Sequence, residues 1–312
     1  MMNDVLQLQH RLRVALQSEN YPEAIECLQQ AATLAHAEGD LSGAGRHIGN
    51  LALIYYRLKR PDEALAAFEQ ALTLVRAAGD RILEDGLLGN MGNVLRESGQ
   101  YTQAVHYLNQ ALLIAQEIGD VRGRGIWLSN LGLVYDDLGQ PATAIDYHHE
   151  AVQVARQLQD QRGLALRLNK LGQSQRAAGQ YPAALTHLEE SLGLYQALGE
   201  SGEMLAILLE LAHIHQECAQ LNTQPDTAQH HSRQAYRYFS QALPYARQSP
   251  ASPLEAELLA NLGTEAGNLG DYDQAIRWFT AAGQLFSRLG LKEHLPHIQA
   301  SLDLASSLQK HP

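Results

Sequence analysis

Cysteine is nearly absent: the 312-residue chain has two, Cys27 and Cys218. That excludes a disulfide-stapled scaffold and a cysteine-based zinc site. Proline is scarce (10) and aromatic residues make up only 6%, a composition that fits packed helices better than sheets. Positive charge is also lacking. The formal net charge of −11 argues against a binder of phosphate backbones, whose mark is a basic patch or stripe, so no nucleic-acid partner is expected. No run of 18 apolar residues occurs and no charged-then-apolar leader opens the sequence. The expectation is a soluble, cytoplasmic protein with no membrane partner.

What is present, 45% hydrophobic residues with alanine, leucine and glutamine dominant, is arranged with a period. Residues 89–120, 129–160 and 169–200 are copies of one plan: apolar helix pattern, glycine break, second apolar helix pattern, second break. A fixed repeat of this length marks a solenoid or array of supersecondary units. An alanine opens each second helix at Ala24, Ala64, Ala104, Ala144, Ala184, Ala235 and Ala275. The steps are 40 residues, except one of 51. A large side chain follows four residues later (Leu28, Phe68, Leu108, His148, Leu188, Phe239, Phe279), and a small one three beyond that. Such i, i+4, i+7 spacing puts all three on one helix face, so each second helix is buried along a stripe.

First helices carry the complementary pattern, with Leu8, Ile48, Leu88, Leu128, Leu168, Leu208 and Leu259 in register. Four residues on come Leu12, Ala52, Gly92, Gly132, Gly172, Ala212 and Gly263. Glycine within a helix costs roughly 0.5–1 kcal/mol against alanine, so its recurrence here predicts a close approach by a neighbour. Gly99, Gly139 and Gly179 read as C-caps of first helices. Asp40, Asp80 and Asp120, each after a glycine, read as N-caps of the helices that follow.

These offsets resemble the tetratricopeptide repeat, over nearly the whole chain. The period of forty is similar to the extended repeats of LGN/Pins scaffolds, kinesin light chains and Rap- or MalT-type regulators. The resemblance implies an all-α, right-handed superhelical solenoid of seven helix-turn-helix repeats plus a C-terminal capping helix. One solenoid domain is expected over 1–312, with repeats at about 3–39, 40–79, 80–119, 120–159, 160–199, 200–249 and 250–290 and a cap helix at 291–310. Arg11 and Glu19 depart from the pattern, as a capping repeat with a polar outer face would. The extra spacing maps to 221–231, whose Asn, Pro, Asp and Thr content predicts an inserted loop, either part of a binding face or a neutral excursion. A second break is expected at 249–253.

In repeats of this kind the first helices line a concave groove, and a partner protein or peptide is expected there. Asn50, Asn90, Asn130 and Asn261 fall at equivalent places, with Lys170 and Glu210 in the same register. Their amides either hydrogen-bond the backbone of an extended peptide or bond within and between helices. Arg46, Arg57, Asn93, Arg96, Gln173, Arg176 and His213 are expected on the same face, with Arg13, Asp136, Asp137 and Glu217. The arginines either favour an acidic segment of the partner or form an ordinary solvated face. The 14 histidines form no HExxH or comparable set, and no P-loop, nucleophile elbow or dinucleotide fingerprint occurs. No catalytic residue, metal or cofactor is expected. Two functions follow: an adaptor that holds a peptide or helical segment in the groove, and a regulatory sensor whose ligand changes the curvature of the solenoid. A sensor is expected to need an effector domain, which the sequence is not expected to hold; that expectation favours a stand-alone adaptor, or an assembly in which the effector is a separate polypeptide.

Overall fold

A computed structural model of the protein describes residues 2–248 and 252–310. Ser249, Pro250 and Ala251, most of the expected second break, lie outside the described residues. Every regular element among those described is helical, and the chain divides into two compact units, Met1–Gln159 and Asp160–Pro312. The first contains α1 (Met2–Gln17), α2 (Tyr21–Ala37), α3 (Leu41–Arg57), α4 (Pro61–Ala78), α5 (Arg81–Glu97), α6 (Tyr101–Ile118), α7 (Val121–Asp137) and α8 (Pro141–Gln157). The second contains α9 (Gln161–Ala177), α10 (Tyr181–Leu198), α11 (Ser201–Leu221), α12 (Pro225–Ala246), α13 (Pro253–Asn268) and α14 (Tyr272–Leu289). A 3₁₀ turn, Lys292–His294, then leads into α15 (Leu295–Lys310), so the last helix starts a few residues later than its sequence pattern suggests. Within each unit, consecutive helices pack as antiparallel pairs, and first helices of successive pairs also touch, α3 on α5 and α5 on α7 in one, α9 on α11 in the other.

The boundaries have local causes. Asp40, Asp80, Asp120 and Asp160 each accept a hydrogen bond from the backbone amide three residues on, at 2.7, 3.0, 2.9 and 2.9 Å. Each bond satisfies one of the amides that a helix start leaves unpaired. Helix ends use left-handed residues, with φ of 74° at Gly99, 68° at Gly139 and 73° at Gly179. Glu19, at the corresponding turn of the first pair, is held at φ 54° without being glycine.

Packing follows the two stripes. The recurrent alanines of the second helices, from Ala24 to Ala275, are completely buried. Opposite them, a β-carbon at Gly92 would lie 2.6 Å from Leu108, one at Gly132 2.5 Å from His148, and one at Gly172 2.6 Å from Leu188. The close neighbour implied by the glycines is thus the large side chain of the partner helix. Phe68, Leu88, Leu108 and Leu131 anchor the core of Met1–Gln159, and Leu188, Leu208, Phe239 and Phe286 that of Asp160–Pro312. Burial of each such side chain contributes about 1.5–3 kcal/mol. The final helix α15 buries Ile298 and Ala305 against α14 and so covers the end of the second core.

The insertion is not a loop. Helix α11 has 21 residues and α12 has 22, against 17 in α9. The extra residues lengthen both helices, and only 222–224 remain non-helical. Pro225 and Asp226, read from the sequence as loop formers, occupy the first turn of α12. There a fixed φ and a negative charge both favour a helix start. His231, within the expected loop, reaches back to α11 and places its Nδ1 2.9 Å from that of His215.

Candidate functional site

The exposed stripe of each first helix carries the polar residues in register. In α3 it runs Asn50, Leu53, Arg57, at i, i+3 and i+7. The same stripe is Asn90, Asn93, Glu97 in α5 and Asn130, Leu133, Asp137 in α7. Asn50 is exposed, while Asn90, Asn130 and Asn261 are half-buried. None of these four amides has a hydrogen-bond partner among the described residues. Of the two roles open to them in the sequence, bonding within or between helices is not what the geometry uses. Asn93, one turn beyond Asn90, is also half-buried. Lys170 differs: its Nζ donates to Gln173 Oε1 at 3.2 Å on the same helix.

Two arginines expected on the groove face are engaged by carboxylates. Arg96 Nη1 of α5 donates to Asp137 Oδ2 of α7 at 2.9 Å. On α9, Arg176 bonds Glu210 at 2.5 Å and Glu217 at 2.6 Å, both on α11. Its pKa is raised, burial opposing and the two carboxylates prevailing. Arg96–Asp137 and Arg176–Glu217 are both 41 residues apart, so in both pairs a donor near the end of one first helix meets a carboxylate one residue beyond the equivalent position on the next. Tyr56 and Glu97 share this spacing. Burial and the Glu97 hydrogen bond push the Tyr56 phenol up to about 12. Asp136 meets His148 Nε2 at 3.0 Å rather than facing outward. His148 itself, which replaces the usual leucine or phenylalanine, is fully buried beneath Gly132.

Arg57 is exposed and has no partner among the described residues. Arg46 is exposed as well, with its charge near Asp80. Beside Arg57 lies a cleft of about 590 Å³, lined by Leu12, Leu16, Tyr21, Leu28, Leu53, Ile54 and Tyr56, with Asn50 and Arg57 at its polar edge. Leu16 is 47% and Leu53 37% exposed. Leucine stands at position 53 where α5 has Asn93 and α9 has Gln173, but α7 repeats it at Leu133, so the sequence alone does not single the cleft out.

Helix α11 carries a lone histidine and one member of a histidine cluster. His213 packs edge-on against Phe239, ring centres 5.6 Å apart, and burial lowers its pKa. His215 is pushed down to about 4, first by burial and then by His231 and His230. No group of three or more His, Cys, Asp or Glu side chains among the described residues could hold a metal ion. No described helix is long and apolar enough to cross a membrane.

Solved structures share this architecture. A signal-transduction ATPase with numerous domains, bearing a tetratricopeptide repeat sensor, from Pyrococcus horikoshii matches 96% of this chain at 15% identity and a TM-score of 0.74. The match covers 45% of that protein, so the chain spans less than half of its length. RapI in its apo form matches at 13% identity and a TM-score of 0.61, over 86% of this chain and 99% of that one. A kinesin light chain-type repeat protein from Podosopora anserina matches 65% of this chain and 94% of its own, at 17% identity and a TM-score of 0.52. At these identities the likeness is one of fold. No curated protein sequence matches. Models of the tetratricopeptide repeat match residues 7–77, 84–157 and 125–197, more than half of the chain, and a further one matches 256–291. The protein is a member of the tetratricopeptide repeat family.

Proposed function

We propose that this protein is an interaction scaffold that holds a peptide or helical segment of a partner protein on the exposed face of its first helices. The observation that carries this reading is the set of unpartnered amides in register, Asn90 on α5 and Asn130 on α7 above all. A half-buried amide without a partner gives up hydrogen-bonding capacity that a peptide backbone restores, each bond adding about 0.5–1.5 kcal/mol. Several such bonds on a preorganised surface, with a few apolar or arginine anchors, give usable affinity without a deep pocket. Tetratricopeptide repeats generally bind proteins and are not usually catalytic, and an adaptor role accords with both.

The reading is tested by capture from native lysate with the intact protein and with Asn90→Ala/Asn130→Ala. Loss of the captured partner, with the helical circular-dichroism signal and melting temperature unchanged, supports it. Equal capture by both forms places binding elsewhere. A sensor role is the second reading, since the Pyrococcus neighbour named for a repeat sensor aligns with 96% of this chain. It predicts a ligand-dependent change in small-angle scattering, which a rigid adaptor does not show.

A further inference from the structure

We infer that the cleft between α1, α2 and α3 is the anchor subsite of this face, built for a partner segment in which a bulky apolar residue is followed, two positions on, by Asp or Glu. The inference rests on the proposed peptide-binding role and adds the sequence that the peptide must carry.

Its first support is a broken regularity. A spacing of 41 residues joins Tyr56 to Glu97, Arg96 to Asp137 and Arg176 to Glu217. Applied one repeat earlier, it joins Leu16 to Arg57. Leucine stands where the others place a donor, and arginine where the others place a carboxylate. No bond can form, so Arg57 keeps its charge and Leu16 keeps its exposed surface. Both line the same cleft, which no described residue fills.

The second support is the order of groups along α3. Asn50, Leu53 and Arg57 present an amide, an apolar surface and a cation along one stripe. From Leu53 to Arg57 the helix rises about 6 Å. An extended chain covers that distance in about two residues, whose side chains point the same way. For a chain that runs in the same direction as α3, an apolar side chain in the cleft beside Leu16 and Leu53 brings the second residue after it to Arg57. A carboxylate there has five guanidinium donors available and the geometry for a bidentate pair. Glu97, one repeat on in the same register, is already bonded to Tyr56. Asn50 remains for the peptide backbone.

The experiment is selection of a random peptide library displayed on phage against the full-length protein and against Arg57→Glu. Binding of the synthesised, fluorescein-labelled winners is then followed by anisotropy. The intact protein is expected to select apolar-x-acidic sequences, and Arg57→Glu to select apolar-x-basic ones. For a winner of the first kind, Arg57→Glu or Leu53→Ser should weaken binding roughly tenfold, as loss of a contact plus an introduced mismatch does, with unchanged melting temperature. Peptides that lack the pattern, or that bind the intact and Arg57→Glu proteins alike, overturn the subsite and leave the peptide-binding role standing. A library that yields no binder to the intact protein overturns both.

Discussion

The first-helix face is open at α1–α3 and closed by charge at α9–α11, though the same repeat builds both. At α9–α11, Arg176 ties two carboxylates of the next helix, and Gly172 lets Leu188 fill the space beneath. At α1–α3 the equivalent of Gly172 is Leu12, which borders a cleft instead of being crowded out. The donor position holds Leu16 and the carboxylate position holds Arg57. Local substitutions within a fixed register thus turn a self-satisfied surface into one with unmet apolar area and unmet charge. Recognition is read better from where a repeat fails to satisfy itself than from how many polar residues it displays.

Four substitutions test that contrast, and a fifth, at Asp85, tests a buried carboxylate whose expected effect falls between their extremes. Gly172→Leu should have the largest effect. A β-carbon there already lies 2.6 Å from Leu188, and overpacking of this kind costs about 1–3 kcal/mol or more, readable as a lower denaturant midpoint. Leu12→Gly at the equivalent site of the open pair should shift the midpoint less.

Asp85 comes next. It is buried on α5 with Trp127 Nε1 donating to it at 2.8 Å. Burial raises its pKa to about 6, with the Trp127 bond opposing and Asp120 adding to the rise. Below about pH 4 the carboxyl is protonated in folded and unfolded chains alike. As pH rises from about 4 to about 6, the unfolded chain ionises first and this group's contribution to stability is lost. The loss levels off above pH 6, at about 2–3 kcal/mol for a shift of that size. Asp85→Asn, which can still accept from Trp127, should melt higher than the parent at pH 7 and converge with it near pH 4. A constant gap across that range would show that Asp85 is ionised in the folded protein.

Arg176→Ala should cost about 1 kcal/mol, since it leaves Glu210 and Glu217 facing each other on a surface that solvent partly screens. Smallest of all, Arg57→Ala should leave the melting temperature within error, because it removes no contact and exposed substitutions fall within about 0.5 kcal/mol. Equal losses at Arg57 and Arg176 would erase the distinction between open and closed faces.

The architecture was legible because it is written in small residues. Completely buried alanines and crowded glycines leave a periodic record of stacked helix pairs. Capping by Asp40, Asp80 and Asp120 was equally plain, since their chemistry is local. The extension of α11 and α12 was not, because Pro225 and Asp226 favour a helix start as readily as a loop. Which partner each arginine meets was also hidden. The pairing depends on a 41-residue register between helices, against the repeat's own 40, and one residue of offset changes the neighbour. The cleft at Leu16 and Leu53 was missed for a related reason: leucine in a helix reads as core until the opposing surface is seen to be absent.

The most direct test of the central claim is to place the photo-crosslinking residue p-benzoylphenylalanine at Asn93, on the first-helix face, and separately at Leu113, which is 56% exposed on α6. Each protein is irradiated with the captured partner. The account predicts an adduct from position 93 and none from position 113. An adduct from position 113 alone would place the partner on the second helices and contradict it.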